Sequence, residues 1–184
     1  MPAISMFIIP AIFIWIFPDE SRFHGGGPGM AAPASQIGTH VKILVFDLLN
    51  LSLNPTDSTF SDRNGVRFSR VECVGVVVSR EFKPGRFLRL VIDDSTGCIS
   101  CVLWLNQLSS PYFSRRSPPD VLAVASMAAK FSAEAQIGVL ARIRGKINVF
   151  RGEVQITVAD VFVERDPNFE ILHWLDCVRL SRNC

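Results

Sequence analysis

Between residues 69 and 164 the chain is a succession of short β-patterned runs broken by turn residues, with one helical stretch among them. Residues 69–80 (SRVECVGVVVSR) are rich in valine around a central Gly75 and predict a long first strand with a bend or bulge. Lys83, Pro84 and Gly85 make a turn. Residues 87–92 follow as a second strand, 93–97 as a tight connection and 98–105 as a third strand, completing a meander. Residues 121–136 (VLAVASMAAKFSAEAQ) combine alanines with apolar positions at helical spacing. A fourth strand over 137–149 and a fifth over 153–164 are joined by a hairpin at Phe150, Arg151 and Gly152. Three strands, a helix and two strands is the element order of an OB-fold, an all-β five-stranded barrel with a helix between strands three and four. An SH3-like barrel or an open α+β sheet shares parts of that order.

Before this core, residues 40–53 form an apolar lead-in strand or short helix ending at a turn on Asn54 and Pro55, and residues 56–64 are polar and loop-like. After it, Asp166 can cap a C-terminal helix with Pro167 at its first position. Ile171, Trp174, Leu175 and Val178 recur on that helix at the i, i+3, i+4, i+7 spacing of one face. The helix over 121–136 already suffices to close the barrel, so this second apolar stripe is expected to bind a partner; the alternative is that it folds back on its own barrel.

Residues 1–17 (MPAISMFIIPAIFIWIF) are apolar, yet they lack a basic leading segment, are shorter than the roughly 20 residues a membrane span needs, and contain Pro10. Residues 1–39 are therefore expected to be a disordered extension or a gene-model artefact with Met30 as the initiator. The domain, with its C-terminal helix, is placed over 40–184, and no membrane partner is expected.

Composition narrows the chemistry. With 48% apolar and 20% charged residues in 184, the chain can bury a core, and a formal charge of only +2 argues against a polycation that holds nucleic acid by bulk electrostatics. Any such contact must be local. Five cysteines at uneven spacing suit a reducing compartment. Cys98 and Cys101 have a zinc half-site gap, but on a strand they point to opposite faces, and no second pair follows, so neither metal nor other cofactor is expected. No nucleophile–base arrangement or phosphate-binding loop is visible either, which reads as a binding module rather than an enzyme.

The fourth strand carries the sharpest functional pattern. Arg142, Arg144, Lys146, Asn148 and Phe150 alternate with Ala141, Ile143, Gly145, Ile147 and Val149, giving a cationic face that ends in an aromatic ring. Cations that follow phosphates beside a ring that stacks on a base are what a single-strand binder needs; the competing reading is an ordinary solvated face. Trp104 ends the third strand with outward parity. In an OB-fold, Trp104, Phe150, the hairpin cation Arg151 and the loop cations Arg80, Lys83 and Arg86 can meet in the oligonucleotide groove. Residues 93–97 (DDSTG) read as a turn rather than a metal-binding carboxylate pair.

Residues 92–104 (IDDSTGCISCVLW) resemble the V-D-D-x-T-G and C-x-x-W signature of Stn-type proteins and of the related middle subunit of replication protein A. Residues 142–145 (RIRG) and 164–175 (ERDPNFEILHWL) are similar to the plant Stn-type members, and the likeness covers about 40–184. The resemblance implies a nuclear subunit of the telomere-capping CST complex at chromosome ends. It implies binding of G-rich single-stranded telomeric DNA beside a Ten-type small OB-fold subunit and a large multi-OB subunit, and support for fill-in by DNA polymerase α–primase. It assigns DNA contact to Trp104, Asn148 and Phe150. It also brings Asp93 to the partner-binding residues with Ile171, Trp174, Leu175 and Val178. Competing readings are the middle subunit of replication protein A and a purely structural OB-fold subunit.

Overall fold

Strand β5 (Arg70–Lys83) organises the molecule because it is long enough to pair with one barrel neighbour along each half. Along its first half it runs antiparallel to β8 (Leu140–Phe150), and along its second half antiparallel to β6 (Phe87–Asp93). β6 pairs with β7 (Cys98–Trp104), β7 runs parallel to β9 (Glu153–Glu164), and β9 returns antiparallel to β8. The five strands therefore close on themselves in the order β5-β6-β7-β9-β8-β5, which leaves no long open edge. A computed structural model describes residues 39–54, 56, 59–113 and 116–182; the extension expected over 1–39 lies outside them apart from Thr39.

Barrel closure depends on two glycines. At Gly75, where β5 hands over from β8 to β6, an added Cβ would stand 2.6 Å from the Asp93 carbonyl oxygen. At Gly145 it would run into the Thr157 carbonyl oxygen, beside a register shift in the β8–β9 ladder. Gly75 is thus a point of close approach. The bulge expected there lies two to four residues on, between Val77 and Ser79, and it turns Ser79 outward while Val77 remains in the core. Val71, Cys73, Val77, Leu88, Leu90, Ile92, Ile99, Cys101, Leu103, Ile143, Ile147 and Ile156 fill the barrel, and each large side chain so buried stabilises by about 1.5–3 kcal/mol.

Helix α2 (Pro118–Glu134) closes the barrel between β7 and β8. It starts three residues earlier than the apolar spacing suggested, because Ser117 caps it and Pro118 and Pro119 occupy the first positions, where a missing N–H costs nothing. At its other end Arg80 donates to the carbonyls of Ser132 and Ala135, which places that cation on the helix C-terminus rather than in a groove. β8 begins at Leu140 instead of residue 137: Ile137 is exposed and Gly138 turns with a φ of 86°.

The lead-in, expected as a strand or a short helix, contains one of each: β1 (Val41–Lys42), parallel to β5, and α1 (Val45–Leu49). The first N–H groups of α1 have no cap of their own. Asp94 Oδ2 accepts from Val45 N at 2.7 Å and Thr96 Oγ1 from Phe46 N at 3.0 Å, so the turn between β6 and β7 caps a helix 50 residues away in sequence. The residues taken as loop over 56–64 include a strand. β3 (Phe60–Ser61) pairs with β2 (Ser52–Leu53) and β4 (Arg67–Phe68) in a small second sheet that buries Phe60 and Phe68. A two-residue strand gives too short a period for its pattern to stand out among polar neighbours.

Helix α3 (Asn168–Arg182) begins where Asp166 Oδ1 accepts from Asn168 N, and it packs on β1 and β5 through His173 and Cys177. Lys42 and Asp176 form an ion pair across that contact. No helix of the described residues is long and apolar enough to cross a membrane.

Candidate nucleic-acid interface

The outward faces of β6, β7, β9 and β8 form one continuous surface whose rows follow from the pairing register. One row holds Arg89, Val102, Thr157 and Lys146, of which Val102 and Thr157 are buried and the flanking cations are not; the next holds Val91, Ser100, Gln155 and Asn148. Trp104 stands one step beyond the first row, opposite Phe87, and Phe150 stands one step beyond the second, opposite Glu153. Three steps of two residues separate the two aromatics along the strands, about 20 Å at roughly 3.3 Å per residue. Trp104 and Phe150 therefore share a face and bracket it; they do not meet.

At the Trp104 end, Phe87 meets the indole edge to face, with ring centroids 6.1 Å apart at 71°. Lys83 Nζ lies 5.2 Å and Arg89 Cζ 5.5 Å from the Phe87 ring centroid. Arg86, at the tip of the β5–β6 turn, is exposed and makes no ion pair with a described residue. Phe87 and Arg89 escaped the sequence reading: parity put them outward, but only the cross-strand register sets them against Trp104 and Lys83.

At the other end, Arg151 (φ 55°) and Gly152 (φ 86°) form the two-residue turn, with both residues left-handed as a type I′ hairpin requires. Arg151 lies over the exposed Phe150 ring, 5.2 Å from its centroid. Asn148 donates to Thr157 Oγ1, while its own Oδ1 is buried without a partner among the described residues. Lys146 is exposed and makes no ion pair with a described residue.

The cationic stripe on β8 divides at this point. Arg142 and Arg144 share its outward parity, but they stand opposite the part of β5 against which α3 packs. Arg144 Nε donates to Glu72, Arg142 Nε donates to Glu164 at 2.8 Å, and Arg142 also lies over the Phe162 ring. The expected solvent-facing row of three cations is therefore corrected to Lys146 alone; the two arginines neutralise carboxylates, one of them buried. Strand parity could not show this, because it says which face a residue occupies and not what covers that face.

Of the residues expected to bind a partner, Ile171 and Leu175 are about 60% exposed on α3 and Val178 is 39% exposed. Trp174 is half-buried, with its Nε1 buried and without a hydrogen-bond partner among the described residues. The fold-back contact runs instead through His173 and Cys177, a neighbouring face that polarity had hidden. Asp93 accepts from Ser95 N in the β6–β7 turn. Cys98 is exposed and Cys101 buried, as strand parity required. Burial pushes the Cys101 and Cys73 thiols up and the Cys177 thiol to about 12, so these three are inert core groups.

No family model matches the sequence. A CST complex subunit STN1 of Arabidopsis thaliana is 49% identical over 147 residues, covering 79% of this chain and 91% of the relative. The chain belongs to the STN1 family of CST complex subunits. The STN1 of Bos taurus is 28% identical over 151 residues, and there the chain spans 40% of the relative's length. Among solved structures, one from the S. pombe Stn1–Ten1 complex superposes with a TM-score of 0.61 at 21% identity over 79% of this chain and 93% of the other. One from a replication protein A heterotrimer bound to single-stranded DNA superposes with the same score at 18% identity over 79% and 98%. These structures show the OB-fold, and the architecture expected from the strand order is the one observed.

Proposed function

We propose that this protein is a non-catalytic, single-strand DNA-binding subunit of a CST-type telomere-capping complex. The observation that carries the reading is the bracketed face: two aromatic stations, Trp104 with Phe87 and Phe150 with Arg151, joined by two cross-strand rows that carry Arg89, Lys146, Ser100, Gln155 and Asn148 beside Val91 and Val102. Rings that stack on bases of any identity, with Lys146, Arg86 and Arg151 following the phosphates, are the means by which OB-folds hold a single strand. Duplex DNA does not fit this design, because its stacked bases offer no free π-face to the exposed rings.

Family membership supports placing the protein in the nucleus at chromosome ends, with G-rich telomeric strand as ligand. It also supports a Ten-type small OB-fold partner, a large multi-OB subunit and assistance to DNA polymerase α–primase in filling in the complementary strand. The exposed stripe of Ile171, Leu175 and Val178, edged by Trp174, is the surface for the Ten-type subunit, since an apolar row of that length is costly to leave in water.

The test has two parts. Affinity capture of the full chain from nuclear extract, followed by mass spectrometry, is expected to recover the small and large subunits. The purified assembly is expected to bind a labelled G-rich single strand and to ignore the same sequence as duplex. Equal binding of both forms sinks the reading.

A further inference from the structure

Glu81, on β5, holds both cations that flank the Phe87 ring. Its Oε1 lies 2.9 Å from Lys83 Nζ and its Oε2 3.2 Å from Arg89 Nη1, and the three side chains are between 42% and 50% exposed. Lys83 and Arg89 are in turn the two cations beside Phe87, which contacts Trp104 edge to face. Cross-strand register puts Glu81 opposite Arg89 and Lys83 opposite Phe87, so all four belong to one patch on the outward face.

We infer that this patch supplies the Trp104–Phe87 station with a phosphate site that Glu81 occupies in the free protein, so that an incoming phosphate must displace its carboxylate from Lys83 and Arg89. The inference rests on the DNA-binding reading above and adds the residues that set its affinity. Glu81 has the character of a competitor rather than a structural anchor. Its ion pairs are exposed and so contribute little to stability, it caps no helix, and it fills no part of the core. Lys83 holds its carboxyl below the usual carboxylate range, so the group is fully charged at neutral pH. A phosphate brings the same two-oxygen geometry to the same guanidinium and ammonium groups. Phe87 stays in place as the surface against which a base or sugar packs once the cations turn to the backbone. The unfavourable step is repulsion between the displaced carboxylate and the phosphate, and removing the carboxylate's charge removes it.

The experiment uses the full chain purified with its co-expressed partner and a fluorescently labelled G-rich 12-nucleotide strand, titrated by anisotropy over a series of potassium chloride concentrations. Glu81→Gln is expected to bind about three- to five-fold more tightly near 0.1 M salt, the effect of releasing its two weak exposed pairs. Its slope of log affinity against log salt is expected to steepen by up to about 0.7, one further phosphate neutralised. Arg89→Ala is expected to weaken binding in the wild-type background and to cancel the gain of Glu81→Gln in the double variant. All three variants keep the wild-type melting temperature. Glu81→Gln at or below wild-type affinity overturns the inference even when Phe150→Ala weakens binding, which leaves the DNA reading standing. Failure of the wild-type assembly to bind the strand overturns both.

Discussion

The guanidinium of Arg144 donates to the carboxylate of Glu72, a side chain only 3% exposed on the outer face of β5. Arg142 approaches the same carboxylate at 3.8 Å, and the His173 ring of α3 stands 4.0 Å from its other oxygen. Replacing both arginines by alanine leaves that carboxylate buried and unpaired. The expected loss, discounted for the partial exposure of the arginines, is about 1–3 kcal/mol in denaturant unfolding. The salt slope of DNA binding is expected to remain that of the wild type, whereas Lys146→Ala flattens it by about 0.7. A double-arginine variant that keeps its stability and loses salt dependence would return both residues to the DNA face.

Trp104→Ala and Phe150→Ala are each expected to weaken single-strand binding by about 1–3 kcal/mol, one lost stack apiece. They stand about 20 Å apart along the strands, roughly six residues at 3.3 Å each, and share no contact, so their effects are expected to add within a few tenths of a kcal/mol. Titration of both single variants and the double variant checks this; unchanged affinity in a folded variant removes that residue from the site.

Leu175 is 62% exposed, which separates folding from association. Leu175→Glu is expected to leave the melting temperature within a degree or two and to abolish the heterodimer with the Ten-type subunit on size-exclusion chromatography, because a charge in the middle of an apolar seam is left without a partner. Cys177→Glu, on the face that docks α3, is expected to do the reverse and lower the stability of the isolated chain. A heterodimer that survives Leu175→Glu assigns the seam to another surface.

Burial lowers the pKa of His173 from its ordinary 6.5, and nearby Glu72 offsets part of that effect. The unfolded chain therefore binds a proton that the folded chain resists, and stability falls as the pH drops below 6.5 toward the folded value. His40, lowered by its own burial and by Arg144 and Arg70, acts in the same direction. Melting temperature measured from pH 7.5 to 5 is expected to decline, with a shallower decline for His173→Gln. A pH profile identical in the two proteins would show that the ring does not couple α3 docking to protonation.

Valine and isoleucine runs, turn residues and the period of two were enough in this chain to determine the five long strands, the closing helix, the C-terminal helix and the outward parity of Trp104, Asn148 and Phe150. These properties are local: they depend on the backbone geometry of a residue and its near neighbours. Pairing partners are not local. The tertiary structure alone decided that Arg142 and Arg144 neutralise Glu72 and Glu164, that Arg80 caps α2, and that Asp94 caps α1 across the molecule. It alone set Phe87 against Trp104 and left Leu175 in solvent while His173 docked. The reason is that a strand pattern says which face a side chain takes, whereas barrel closure and helix docking determine which of those faces is covered and by which charge.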